Sequence, residues 1–323
     1  MPLPKLSLQV FEAFEQVART GSMQLAAREM GLSISSVSHH VARLEEELGV
    51  VLLDRSSRPF ELTREGREAL HHLSAGLQHL RRATSETAVG GLLGARSLRI
   101  GIVEDFESNV APDLAVALAG RMPRARLAIS NVLSHEAPAA VLGGKLEVAV
   151  ASETPDLPGE ILVDPILRDP FLIAMPRGIE ADAADLLHGR ADLPFLRFNA
   201  AHLIGRQIDG HLSRNRIALP DRFAFDSVQS IMAVIANGDG WSIVTPLGFL
   251  RAQRYAPQVR LQPLPMASFA RHISLLSRRD FDQPTARAIA GLIRDSARRL
   301  AIAPMTQSHP WLAEGFTVLE PGG

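Results

Sequence analysis

The sequence predicts an α+β multidomain chain: a helix-turn-helix with a β wing, a long helix after it, and an α/β body of two lobes. Three observations carry this. Residues 21–49, GSMQLAAREMGLSISSVSHHVARLEEELG, hold two short helical patterns hinged at Gly31. Leu70, Leu73, Leu77 and Leu80 then recur at alternating spacings of three and four, the seam of a two-stranded helical arm. Beyond residue 96, short β-rich runs alternate with helical ones, as they do where helices cross over a parallel sheet.

The totals narrow the field. A chain of 323 residues exceeds one small core. It contains no cysteine, which excludes disulfides, thiolate nucleophiles, thiol redox sensing and cysteine-ligated zinc. The start MPLPKLSLQVFEAFEQ lacks the basic and apolar regions of a signal peptide, and no window reaches the ~18 apolar residues of a membrane span. A cytoplasmic protein with no membrane partner is expected. Net charge is -1, and residues 1–67 hold eight Lys/Arg against nine Asp/Glu. A nucleic acid would therefore have to be held by local arrangement, not by global attraction.

Leu8, Phe11, Phe14, Val17 and Ala18 fall at helical spacing and predict a first helix ending at Gly21. Ser22 is a good N-cap for a second helix burying Leu25, Ala26 and Met30, Gly31 can end it in the left-handed conformation, and Ser33 caps a third. In the third helix Ile34, Val37, Val41, Leu44 and Leu48 form one stripe for burial. At about 100° per residue, Ser36, His39, His40 and Arg43 fall opposite that stripe, with Ser35 at the margin; Ser38 and the capping Ser22 and Ser33 are grouped with them as contact residues. Small hydroxyl side chains let a helix press into a major groove, and the helix N-terminus attracts phosphate. From the residues alone, this face serves either as a nucleic-acid reader or as a solvated surface. His39 and His40 point about 100° apart and cannot share a metal ion. Glu45, Glu46 and Glu47 come too late along the helix to enter a groove and are expected to face away.

VVLLDRSSRPFELTREG predicts a hairpin wing with Arg55 and Arg58 at its tip, placed either to clamp phosphate or as ordinary exposed loop arginines. Thr63 caps the long helix, whose seam runs through Leu70, Leu73, Leu77, Leu80, Thr84 and Thr87. So narrow a stripe leaves too little apolar surface for burial within a domain, so the helix reads as a dimerising arm with His71, His72 and His79 on its flanks. AVGGLLGARS follows as a glycine-rich hinge, and no Gly-Lys-Ser/Thr makes it a phosphate loop.

SLRIGIV, ARLAISNV and LEVAVA predict strands, with helices in APDLAVALAGRM and SHEAPAAVLGG between them. DPFLIAMP, PFLRFN, RFAFD and WSIVTP form a second set, with helices over 202–216 and 228–236. HISLLSR and the helix PTARAIAGLIRDSARRLA return to the first. Lobe 1 is thus 97–169 with 270–303, and lobe 2 is 170–269. A cleft at the strand ends would be lined by Glu104, Asp105, Phe106, Ser108, Ser134 and His135 from one lobe. Phe198, Asn199, Asp226 and Thr245 would line it from the other. Glu104 and Asp105, if uncompensated, would repel an acid, which points to an effector with an amine or other cationic group. Residues 304–323 lie outside the pattern and read as a tail. No catalytic or metal-binding constellation emerges. HEAPA lacks a second histidine at metalloprotease spacing, and GDGWS is not a nucleophile elbow.

FEQVARTGSMQLAAREMGLSISSVSHHVARLEEELGVVLLDRSSRPFELTREG resembles the N-terminal module of LysR-type transcriptional regulators, through its GS…AA approach, LEEELG, arginine-bearing wing and LT…G entry to the long helix. Two positions depart from the usual pattern: Ile34–Ser35 replaces Gln-Pro or Gln-Ser, and His39–His40 replaces Arg-Gln. LGGKLEVAVAS and VIANGDGWSIVTP resemble segments of the same family's effector domain. The resemblance implies a winged helix-turn-helix at 1–63, a linker helix at 64–89, a hinge at 90–96 and an effector domain at 97–303. That last domain would resemble periplasmic binding proteins of type 2. It also implies double-stranded DNA as partner, a homodimer through the linker helix assembling to a homotetramer, contact with RNA polymerase, and a small organic effector with no cofactor. A small-molecule binder without a DNA role would account for the lobes but not for the first ninety residues. An enzyme using the cleft lacks a catalytic set.

Overall fold

The structure, a computed structural model, describes residues 6–57, 59–86, 97–266 and 269–320. It divides into two compact units, Met1–Gly90 and Gly91–Gly323. Arg58, Thr87 and the hinge 90–96, together with the side chains of His79 and Thr84, lie outside the described residues.

The first unit runs α1 (Leu8–Thr20), α2 (Met23–Met30), α3 (Ile34–Leu48), β1 (Leu53–Asp54), β2 (Glu61–Leu62) and α4 (Arg64–Glu86). Ser22 and Ser33 cap α2 and α3, their hydroxyls accepting from the amides of Leu25 at 3.3 Å and Ser36 at 3.1 Å. Gly31 ends α2 at φ 66, a conformation that glycine adopts without strain. Phe14, Val17, Ala26, Val37, Val41, Leu44 and Leu52 form the core. The antiparallel wing pairs Leu53 with Leu62. At the start of α4 the Thr63 hydroxyl accepts from Gly66 N and donates to Val51 O. A Cβ on Gly66 would lie 2.1 Å from the Leu52 carbonyl, so only glycine lets α4 begin against the wing.

Three expectations are corrected in this unit. Leu25, Ile34 and Leu48 are 50%, 51% and 41% exposed instead of buried; Ile34 and Leu48 are the first and last residues of α3, where the cover that buries Val37, Val41 and Leu44 ends. The leucine seam of α4 is not free along its length: Leu70 and Leu73 pack on the winged-helix core, because α4 starts beneath the wing. Glu45 does not face away. Its Oε1 accepts from Leu52 N at 2.9 Å and Leu53 N at 3.3 Å, bracing α3 to the wing.

The second unit continues with β3 (Ser97–Ile102), α5 (Glu104–Glu107), α6 (Val110–Arg121), β4 (Arg126–Asn131), α7 (Ala137–Leu142), β5 (Val148–Ser152), β6 (Ile161–Pro170), β7 (Leu172–Pro176) and α8 (Ala183–Leu187). Then come β8 (Leu196–Phe198), α9 (Leu203–Arg214), β9 (Phe223–Phe225), α10 (Val228–Asn237), β10 (Ser242–Val244), α11 (Pro246–Arg251) and β11 (Val259–Pro263). It closes with β12 (Ala270–Arg278), α12 (Gln283–Ala297), α13 (Ala303–Ser308) and β13 (Thr317–Val318). Lobe 1 holds a six-stranded sheet in the order β13-β6-β12-β5-β3-β4, and lobe 2 holds β10-β7-β11 and the pair β8-β9. β3 runs parallel to β4 and β5, the arrangement expected of crossover helices, while β12 runs antiparallel between β5 and β6.

The strand β6, ILVDPILRDP, is absent from the sequence reading and carries prolines at 165 and 170. Pro165 falls at a bulge, where Ile273 and Ser274 face Leu167 and Pro165 and leave Ile166 as the extra residue; a proline without a ladder hydrogen bond is tolerated there. Residues 304–320 are not a trailing tail. Leu312 and Phe316 are buried, and β13 pairs with β6 through Thr317–Arg168 and Val318–Leu167. Buried Arg294 donates from Nε to the carbonyls of Pro165 and Leu319, both at 2.9 Å. An open strand edge and two apolar anchors give the segment a seat.

The chain leaves the six-stranded sheet after Pro170 and returns at Ala270. Across these two crossing strands Asp169 and Arg271 are register partners, 0% and 7% exposed. Arg271 donates to Asp169 Oδ2 from Nε at 2.9 Å and Nη2 at 2.7 Å, and its Nη2 also serves Asp105. Burial pushes the Asp169 carboxyl up to about 6; Arg271 opposes this, but it is shared with Asp105, whose charge adds to the rise. Beside the pair, the Phe171 and Phe269 rings stack at 4.0 Å.

Two outcomes follow. Phe316→Ala should destabilise the second unit by about 3–5 kcal/mol in urea denaturation, whereas a loosely attached segment would give almost no change. Asp169 ionises near pH 6 when folded and near 4 when unfolded, so its contribution to stability is present below pH 4 and lost as pH rises to 6. Relative to Asp169→Asn, the wild-type protein should therefore lose roughly 2–3 kcal/mol between pH 4 and 6.5, measured by denaturation at each pH.

Candidate functional site

On α3 the exposed polar side chains include Ser35, His39, Arg43 and Glu46, while Ser36, Ser38 and His40 are half-buried. The presented face therefore turns on Ser35 and His39, not on Ser36 and His40. His40 lies at the margin of the buried arc, and its Nδ1 is enclosed without a hydrogen-bond partner among the described residues. Ser33 Oγ lies 2.8 Å from Ser35 Oγ and 2.7 Å from Ser36 Oγ, so the N-terminal hydroxyls form a cluster anchored by the cap. Exposed Ile34 adds an apolar contact of the kind a thymine methyl accepts. The Ser22 hydroxyl is occupied by its own helix.

In the wing, Arg55 Nη2 donates to Glu45 Oε2 at 2.7 Å with the arginine side chain still 49% exposed. The guanidinium is thus aimed by α3 and keeps room for a second anion. Asp54 accepts from the Ser56 hydroxyl and amide, which hold its carboxyl below the usual range and shape the wing turn. Together α3 and the wing offer hydroxyl, imidazole and guanidinium groups on one unit, suited to phosphate oxygens and base edges.

The second unit has a pocket of about 90 Å³ between the lobes. It brings together Glu104, Asp105, Ser134 and His135 from lobe 1 with Phe198, Asp226 and Thr245. Three expected residues lie elsewhere. Phe106 is in the hydrophobic core, because α5 turns it inward. Ser108 follows that helix and is not part of the lining. Asn199 stands behind Asp226, donating from Nδ2 to Oδ1 at 2.9 Å. Sequence reasoning missed Ser152, Gln207 and Arg271, which also line the pocket. Ser152 ends the recognised strand LEVAVAS, and Gln207 sits one turn past Leu203 on α9, so both were within reach of a strand-end and helix-face argument. Arg271 was not.

Local packing explains these placements. Buried Gly205 brings α9 against β8, since a Cβ there would lie 2.5 Å from the Asn199 carbonyl. Thr245 caps α11, accepting from Gly248 N at 3.3 Å, and accepts from Arg271 Nη2 at 3.1 Å. Glu104 pairs with Arg251 on α11, although burial still raises its carboxyl above the usual range. The carboxylates Glu104 and Asp105 are thus compensated by Arg251 and Arg271, and their charge does not call for a cationic effector.

The family model "Bacterial regulatory helix-turn-helix protein, lysR family" matches residues 8–67, and "LysR substrate binding domain" matches residues 93–298. The HTH-type transcriptional regulator BbuR of Bordetella bronchiseptica is 24% identical over 96% of this chain and 96% of its own. A full-length OxyR variant from Pseudomonas aeruginosa superposes with a TM-score of 0.73 at 21% identity, covering 99% of this chain and 100% of that one. CbnR, solved with its target DNA, gives 0.54 at 22% identity, covering 90% and 100%. These two likenesses concern the fold. The chain belongs to the LysR family of bacterial helix-turn-helix regulators, and is a DNA-binding transcriptional regulator with an effector domain.

Proposed function

We propose that a small organic effector bound between the lobes alters the conformation of this regulator on its operator, and that it acts by binding alone, without turning over a substrate. The observation that carries this is a pocket of mixed polar and apolar lining contributed by both lobes, with the two crossing strands joined at its edge by Asp169 and Arg271. A ligand held by both lobes favours one lobe arrangement over another, and shifts the population accordingly. The absence of cysteine leaves this non-covalent route in place of a thiol switch.

In this reading the protein works in the cytoplasm as a homodimer through α4, assembling further to a homotetramer, with RNA polymerase as its partner at the promoter. The 23-residue length of α4 and the leucine spacing that continues to exposed Leu80 support pairing along its distal turns. Ser35, His39 and Arg43 of α3 enter the major groove, and Arg55 and Arg58 of the wing hold the backbone.

Capture of genomic fragments by the full-length protein, followed by sequencing, tests the reading. A defined set of promoter fragments is expected, and failure to retain DNA at low salt would sink it. On a captured site, His39→Ala and Arg43→Ala should each cost about 1–3 kcal/mol of affinity. Arg55→Ala should weaken all sequences alike and reduce the log–log salt slope by about 0.9, measured by fluorescence anisotropy across a salt series.

A further inference from the structure

The charges of the inner pocket are already committed to one another. Glu104 is paired with Arg251, and Arg271 is held by Asp105, Asp169 and Thr245. Asp226 Oδ1 accepts from Asn199 Nδ2 at 2.9 Å and lies 3.3 Å from His202 Nε2. A carboxylate ligand would have to draw Arg271 away from two carboxylates inside a buried site. An ammonium would have to displace Arg251 or Arg271 from an acid. Both exchanges trade one ion pair for another and add desolvation.

Two polar atoms in the lining are different. Ser152, 3% exposed at the end of β5, has its Oγ buried with no hydrogen-bond partner among the described residues. Its amide is fixed by donation to Ser134 Oγ at 3.1 Å. Gln207 Oε1 on α9 is likewise buried and without a partner among the described residues. One belongs to lobe 1 and the other to lobe 2, and both face the same pocket. A buried polar atom left unbonded is costly, so these two mark where a ligand gains most. The pocket of about 90 Å³ is far below the ~300–1,000 Å³ of drug-sized sites. Arg206 and Arg214 line only the adjoining recess, which shares His135, Leu203 and Gln207 with the pocket, and Arg206 donates from Nη1 to the carbonyls of Ala200 and Ala201.

We propose that the effector is a small uncharged molecule with N–H or O–H donors, of the amide or polyol class, which donates to Gln207 Oε1 and bonds the Ser152 hydroxyl. It rests on the reading of the cleft as the effector site and adds the ligand's chemical class. Ser152 and Gln207 set specificity, each lobe contributing one of them.

The test is a ligand-observed NMR screen of the full-length protein against a fragment library with equal numbers of size-matched uncharged amides and polyols, carboxylates, and amines. Uncharged fragments should predominate among binders, and should weaken about fivefold in both Ser152→Ala and Gln207→Leu. Gln207→Glu, which keeps the side-chain shape, should move the preference toward amines. A majority of carboxylates or amines, an absence of binders, or uncharged binders indifferent to all three substitutions would overturn the proposal. DNA affinity measured with the same fragments separates the two readings. Uncharged fragments that bind without altering DNA affinity uphold the ligand class and count against effector control. Charged fragments that bind and alter it do the reverse.

Discussion

The second unit depends on one buried contact, the Arg271 guanidinium set between Asp169 and Asp105. Asp169 and Arg271 lie opposite each other on β6 and β12, where the chain leaves one sheet and comes back to it. Thr245 extends the contact to the cap of α11, and Leu247 N donates to Asp169 Oδ1 at 3.3 Å. One side chain thereby links β6, the one-turn helix after β3 and the N-terminus of α11, the last two of which border the pocket. A buried ion pair is weak evidence for stability by itself, since desolvation offsets much of its attraction. Its value here is geometric, because an arginine with several fixed donors holds all three pieces in one register.

The same economy governs the first unit. Glu45 looked like part of an acidic surface run, yet it receives two wing amides and Arg55. That carboxylate closes the wing onto α3, so the exposed face of the helix and the wing arginine are positioned together. Near-neutral charge over residues 1–67 is compatible with this, because what matters is which charges remain facing outward once internal pairs are made.

Much of this was legible in the sequence where the physics is local. Ser22, Ser33, Thr63 and Gly31 announce helix ends through caps and a left-handed turn, and each does so in the structure. The alternation of strands and helices from Ser97 to Ser152 is equally local. Non-local physics was hidden. Nothing in the neighbourhood of Glu104 or Asp105 reveals that Arg251 and Arg271 will neutralise them from more than a hundred residues away. Helical periodicity overstated burial at Ile34 and Leu48 because it has no knowledge of where a neighbouring helix stops. No strand was assigned to ILVDPILRDP, whose Pro165 is accommodated only because the pairing with β12 bulges at Ile166. Gln207 carried no signal beyond its helix face; its role comes from an unmet hydrogen bond.

The pairing of β6 with β12 and β13 also orders events on the ribosome. The Met1–Gly90 unit has its whole core available early, so it can fold while the rest is still being made. β6 cannot close either edge until residues 270–278 and then 317–318 emerge, the latter about 150 residues after Pro170. At ~5–20 residues per second, the nascent chain carries unpaired strand edges for on the order of ten seconds. The interval of greatest exposure to misassembly and to chaperones therefore belongs to translation, and ends when the last strand anneals.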